Sequence, residues 1–368
     1  MSETPHQTGR YFEHFALGEV IEHAVPRTLG QGDASLYQAL YGARNPLFCA
    51  QPFAAALGLA DMPLDNWLVF HIVFGKSVPD ISRHAVANLG YAQGRFLAPV
   101  YAGDTLSAAS HIIGLRQNKS GESGLVMVET TGTNQRGEAV LSYTRWVMVK
   151  KQHSQAASSE NLPDNLPDTV WPQPAPVIAA DALALPQADF SAWDIKATGS
   201  PLLFDDYETG MKIAHGDGTT LEESEHMLAT RLYQNNAAVH FDAHLQSQSR
   251  FGKRLIYGGH MISHAAAMAF NGLANLAGYA ALNGGTHVAP CFAGDTLYGW
   301  SEVLEKAALP GRDDVGALRL RHVLVKNQPP QEGRFALKKD VDAAKQDYAN
   351  NVVLDLDVWA YMARRRNA

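Results

Sequence analysis

The chain has 368 residues, 46% hydrophobic and 18% charged, enough apolar material for two ordinary domains with separate cores. Its formal net charge of -7, without a dense run of Lys and Arg, argues against nucleic acid or an anionic membrane as partner. Cys49 and Cys291 have no CxxC spacing, so neither a disulfide framework nor a thiolate metal site is expected; both read as small buried residues in a reducing compartment.

Residues 1–10 carry no apolar leader segment, and no stretch approaches the roughly 18 apolar residues of a membrane helix, so a cytoplasmic protein is expected. The opening residues read as a strand and turn, then a short helix over 33–40, a polar loop, and an apolar helix over 66–75 (NWLVFHIVFG). Alternating and β-branched runs predict strands at 90–96, 105–115, 124–134 and 139–150. Residues 152–196, rich in Pro, Ala, Ser and Asp without a sustained period, read as a linker laid over the surface with Trp171 and Trp193 as anchors. Beyond it the order returns: a helix over 222–233, a polar loop, an apolar helix over 260–277, and strands at 286–290, 296–304, 318–326 and 351–361.

The residues repeat as well as the pattern. Ala98-Pro-Val-Tyr-Ala-Gly-Asp-Thr-Leu106 recurs as Ala289-Pro-Cys-Phe-Ala-Gly-Asp-Thr-Leu297, seven of nine positions identical at an offset of 289 − 98 = 191. Phe12, Gly18 and Thr28 match Phe204, Gly210 and Thr220 at 192, and Val140 and Trp146 match Val353 and Trp359 after a longer charged loop near 329–350. The chain is a tandem duplication, with domains 1–151 and 197–368 joined by 152–196. One apolar helix and a meander of antiparallel strands in each copy predict an α+β fold, a sheet curled around its helix.

The loop of the second copy, Tyr233-Gln-Asn-Asn-Ala-Ala-Val-His240-Phe-Asp242, gathers an amide (Asn235), an imidazole and a carboxylate, and Gly258-Gly259-His260 starts eighteen residues after His240. Imidazole titrates near neutral pH and can act as a base. A glycine pair at a helix start presents N–H groups at the positive end of the dipole to an anionic oxygen. A helix-connecting loop with a merely hydrogen-bonded histidine is the plain alternative.

These features resemble the hotdog fold of the MaoC-like dehydratase and hydratase-2 family, in its tandem, double-hotdog form. The family's loop motif runs aspartate, any residue, Asn-Pro-Leu-His, often with an acid two residues on. His240 and Asp242 match it, Asn235 stands in the aspartate's place, and Gly258 matches the helix-start glycine. The first copy keeps Asn45-Pro46-Leu47 but has Ala43 and Phe48 where the aspartate and histidine would be. The resemblance implies a catalytically silent N-terminal half that helps hold an acyl thioester and a catalytic C-terminal half. The loop together with Arg254-Leu-Ile-Tyr257-Gly-Gly-His is most similar to the branch of the family that acts on mesaconyl-CoA. The implied activity is that of a hydro-lyase reversibly hydrating an α,β-unsaturated acyl-CoA, mesaconyl-CoA to β-methylmalyl-CoA. No cofactor is expected beyond the CoA of the substrate, no metal, and a homo-oligomeric state.

Hydrating an enoyl thioester needs a base for water, donors for the enolate oxygen and a proton for Cα. His240 is the expected base, and Gly258 and Gly259 the donors. Asn235 can only orient water, since an amide takes up no proton; Asp242 either serves the second transfer or caps the loop. Arg231 and Arg254, with Arg44 and Arg250, are candidates for a substrate carboxylate, which arginine pairs bidentately, and Tyr257 is expected to line the site. Rival readings are another (R)-specific enoyl-CoA hydratase, a thioesterase, a non-catalytic acyl-thioester binder, and a zinc hydrolase built on the i, i+4 pairs His240/His244 and His260/His264.

Overall fold

A computed structural model of the chain describes residues 9–119, 121–152, 170–330, 335, 337 and 348–365. Residues 153–169 of the expected linker, and 331–334, 336 and 338–347 of the charged loop, lie outside the described residues. The first half comprises β1 (Val20–Thr28), α1 (Gln31–Tyr41), α2 (Asn66–Ser77), β2 (Ala85–Phe96), β3 (Thr105–Gln117), β4 (Ser123–Thr133) and β5 (Ala139–Lys150). The second comprises β6 (Lys212–Ala214), β7 (Thr219–Thr220), α3 (Glu223–Leu232), α4 (Gly258–Leu273), β8 (Leu276–His287), β9 (Thr296–Ala308), β10 (Val315–Lys326) and β11 (Val352–Ala363). The strands form one antiparallel sheet in the order β1-β3-β4-β5-β2-β8-β11-β10-β9-β6, with β7 beside β9. The two halves join at β2 and β8, where Tyr91 lies opposite Gly285 and Arg95 opposite Ala281.

Every α2 residue from Trp67 to Ser77 is buried, which explains a helix apolar on all sides: it must be wrapped. The halves meet at matched positions (233 − 41 = 192), where the Tyr41 and Tyr233 hydroxyls lie 2.7 Å apart. The most visible repeat is structural. Asp104 and Asp295 of the two Gly-Asp-Thr segments each accept a backbone N–H, from Tyr101 at 2.9 Å and Phe292 at 3.0 Å, closing the turn that feeds a long strand.

The C-terminal helix expected to reach residue 277 instead breaks at Gly272, whose φ of +95° suits glycine, and Leu276–His287 is strand β8. Its run LAGYAALNGG has no β-branched residue, and Ala and Leu favour helix, so local preference pointed the wrong way. The sheet seam decides the matter. A Cβ on Gly285 would lie 2.8 Å from Leu356 and 3.2 Å from the Tyr91 ring, so small residues are needed there.

The described part of the linker is more than a surface strap. Ile178, Leu183 and Phe190 are buried against Trp359 and Tyr361 on the outer face of the sheet, a second core. The Trp359 indole N–H donates to the Ile178 carbonyl at 2.9 Å, and Ile178 N–H to Asn283 Oδ1 at 2.8 Å. Trp193 stacks on Phe190 and donates to Asn275 Oδ1, while the Arg116 guanidinium lies over Trp171. Cys291 is buried as expected; Cys49, at the end of the helical turn Pro46–Cys49, is exposed, contrary to the reading of both as core residues.

Candidate active site

The loop between α3 and α4 folds as two helical turns, Ala238–Phe241 and Ala243–Ser247, divided at Asp242. The break keeps His240 and His244 off a common helix face, so the first i, i+4 pair does not form the arrangement a zinc site would use. His260 and His264 do share α4, but their Nε2 atoms lie 3.2 Å apart, hydrogen-bonded to each other, and the Tyr41 hydroxyl bonds His260 Nδ1 at 2.9 Å.

His240 is 8% exposed, and its Nδ1 lies 2.8 Å from the Leu255 carbonyl oxygen. A carbonyl only accepts, so Nδ1 carries the proton and Nε2 keeps its lone pair. Burial lowers the His240 pKa to about 4, partly opposed by the bond to Leu255, so the ring is neutral at physiological pH. The Tyr257 ring centroid stands 5.6 Å from it and that of His226 5.8 Å, both edge-on.

Asn235 is buried, and its Oδ1 accepts the Ala237 N–H at 3.0 Å, shaping the turn that carries His240. In the N-terminal half the position matching Asn235 is Ala43, and Asn45, two residues further on, accepts the Leu47 N–H at 3.1 Å to cap the turn Pro46–Cys49. Asp242 is exposed and accepts the Leu245 N–H at 2.8 Å, the capping role. Arg254 pairs with Glu223 and donates to the Phe241 carbonyl, bracing α3 against the loop. Arg231 and Arg250 are exposed, and Arg44 donates to Asn271 Oδ1 at 2.7 Å over the Phe270 ring.

The two helix starts differ in a way that bears on chemistry. In α2, Asp65 caps its own helix through the Trp67 N–H at 2.8 Å, and Asn66 stands where α4 has Gly258. In α4 the N-cap is Tyr257, which makes no side-chain cap. Among the described residues neither the Gly258 nor the Gly259 N–H has an acceptor, leaving two donors at the positive end of a helix dipole. Phe48 stands at the histidine's position in the N-terminal half and lines a small cavity with Asp65 and Arg44; burial raises the Asp65 pKa to about 6.

Several site residues carry no loop motif and escaped the sequence reading. His226, on α3, accepts the Tyr257 N–H at 3.0 Å through Nε2. His71, on α2 of the N-terminal half, lies 3.4 Å from the Tyr257 hydroxyl and 3.0 Å from Ser263 Oγ. A lone histidine inside the apolar run of α2 was the available signal; His226 and His287 offered none beyond being histidine.

Eight histidines, at 71, 215, 226, 240, 260, 264, 287 and 322, are held below their ordinary pKa by burial. The unfolded chain then binds more protons than the folded one below the ordinary value, so stability is full above that value and falls as pH drops toward the folded values. We expect the urea midpoint to be constant from pH 7 to 8 and to fall between pH 6.5 and 5. A midpoint unchanged down to pH 5 would contradict neutral burial of these rings.

A family model described as mesaconyl-CoA hydratase matches residues 2–335. The chain is 52% identical over 361 residues to a β-methylmalyl-CoA dehydratase of Chloroflexus aurantiacus, covering 97% of this chain and 98% of that one. It is 51% identical over 359 residues to a mesaconyl-CoA hydratase of Cereibacter sphaeroides, again covering 97% and 98%. A solved MaoC domain protein of Chloroflexus aurantiacus superposes with a TM-score of 0.92 at 50% identity over the whole of both chains. A Mycobacterium tuberculosis protein with a double hotdog fold gives 0.72 at 27% identity over 96% and 98%.

Proposed function

Because this chain belongs to the mesaconyl-CoA hydratase family, we propose that it reversibly hydrates mesaconyl-CoA to β-methylmalyl-CoA, acting as a hydro-lyase on an acyl-CoA thioester. The observation that carries this is the pairing, in one half alone, of a neutral imidazole with a free Nε2 and a helix start whose two glycine amides lack acceptors.

His240 Nε2 removes a proton from water as the hydroxyl oxygen bonds to Cβ. The Cα–Cβ π pair then shifts to place negative charge on the thioester oxygen. The Gly258 and Gly259 N–H groups stabilise that oxygen as charge develops, the kind of donor whose loss costs about 10²–10³ in turnover elsewhere. The enolate collapses, and Cα takes the proton from the His240 imidazolium. Burial makes that imidazolium a ready acid, so one residue serves both transfers. Asn235 holds the turn and Asp242 caps the next, and in this reading His240 carries both protons. We further propose that the silent half braces the site, through Tyr41 on Tyr233 and His71 on Tyr257. The same proposal includes assembly as a homo-oligomer.

Purified protein should consume mesaconyl-CoA faster than crotonyl-CoA or longer enoyl-CoA thioesters, read as loss of enoyl absorbance with β-methylmalyl-CoA as product. A preference for an unbranched enoyl-CoA without a carboxylate would move the chain to another hydratase specificity. CoA-ester binding without turnover of any of them would make it a binding protein.

A further inference from the structure

His287, at the end of β8, lies flat against the helix start of α4. A Cβ built on Gly258 would stand 2.6 Å from its Cε1 and Nε2 and 2.9 Å from Nδ1, so glycine is what allows the ring to sit there. The Tyr91 hydroxyl, from β2 of the silent half, lies 3.3 Å from His287 Nε2. Tyr91 is 2% exposed and its hydroxyl has no other hydrogen-bond partner among the described residues, so it places its hydrogen on Nε2. In that tautomer Nδ1 carries a proton. Nδ1 is buried and has no hydrogen-bond partner among the described residues, a buried donor without an acceptor that calls for an explanation.

We propose that His287 Nδ1–H is a third donor to the thioester oxygen, completing the cradle begun by the Gly258 and Gly259 amides. The inference rests on the enoyl-thioester hydration proposed above. The imidazole acts neutral and keeps its proton: as the π pair moves onto the thioester oxygen the hydrogen bond strengthens, and it weakens again when the enolate collapses and Cα is protonated. Burial suits this role, since it lowers the His287 pKa to about 4 and so keeps the ring a neutral N–H donor at physiological pH. Tyr91 sets the tautomer from across the seam, which gives the silent half a part in the electrostatics of the catalytic one. The matched strand position of the silent half carries no histidine, Arg95 and Phe96 standing at offsets of 192 and 191.

The test uses the full chain and mesaconyl-CoA. His287→Ala should lower kcat about 10²-fold while KM, and binding of the saturated thioester of the same skeleton, change by no more than about threefold. His287→Gln, whose amide can donate, should recover part of the loss, and Tyr91→Phe should cost less than His287→Ala. A second measurement separates donation from packing. In a His240→Ala background, where substrate binds without turnover, the enoyl absorbance should shift to longer wavelength as the carbonyl is polarised, and His287→Ala should remove much of that shift. A wild-type kcat in His287→Ala, or an unchanged shift in the double variant, overturns the inference and leaves the hydratase reading intact. A wild-type protein that hydrates no enoyl-CoA overturns that reading, and this inference with it.

Discussion

His240→Ala should lower turnover by about 10²–10⁴, the range for removal of a general base, while the protein stays folded and still binds the thioester. The ring's hydrogen bond to the protein is the one from Nδ1 to Leu255, and losing it costs only about 1 kcal/mol. Nε2, the atom assigned the chemistry, supports no other part of the fold. Thermal melts, calorimetric binding of the saturated thioester and initial rates separate these effects. Turnover within about tenfold of wild type would remove His240 from the mechanism. Because the pKa of His240 is lowered to about 4, kcat/KM should also be flat from pH 8 down to about 5 and decline only as the ring takes up a proton. An acid limb centred near the ordinary histidine value would show that the base is not buried as described.

Much of this arrangement was legible in the residues because it repeats. The offset of 191 to 192 places Phe48 on His240 and Asn66 on Gly258 without any structure, and the duplicated Gly-Asp-Thr turns fix the register of the long strands that follow. What local pattern missed is what tertiary packing decides. The expected helix ends at 277 and the expected strand starts at 286, so most of β8 carries no strand pattern: its small residues serve the seam under Tyr91, where packing overrules the preference of the isolated segment. His71, His226 and His287 are separated in sequence by 226 − 71 = 155 and 287 − 226 = 61 residues, in no recognisable spacing, and only the wrapping of two halves brings them to Tyr257 and Gly258. The arginines misled for the opposite reason: a guanidinium invites a functional reading, yet Glu223 and the Phe241 carbonyl hold Arg254. Asn235 carried both readings, and the bond its Oδ1 accepts from the Ala237 N–H gives it a structural part in shaping the turn before His240.

Gly75→Ala should damage the protein more than its distance in sequence from the loop suggests. Gly75 lies in α2 of the silent half, and a Cβ there would stand 1.8 Å from the carbonyl oxygen of Tyr233 and 2.9 Å from its carbon. Both partners are backbone. The Tyr233 carbonyl is held in place by the Tyr41 hydroxyl contact on its own side chain and by Gln234, whose φ of +55° turns the chain into the catalytic loop. The helix cannot retreat either, since its residues from Trp67 to Ser77 are buried on every side. Overpacking of this kind costs typically about 1–3 kcal/mol and here meets two rigid partners, so the upper part of that range or beyond is expected. The matched position of α4, nine residues after Gly258, is Ala267, which shows that the helix itself tolerates a methyl group there and that the requirement comes from the loop. The variant should melt several degrees below wild type. Turnover measured well below its melting point should still be reduced, because Asn235 N lies 3.5 Å from the same Cβ and the displaced backbone leads directly to His240. A Gly75→Ala protein with wild-type melting temperature and turnover would show that the two halves do not meet as closely as described. A lowered melting temperature with full turnover would confine the role of α2 to stability.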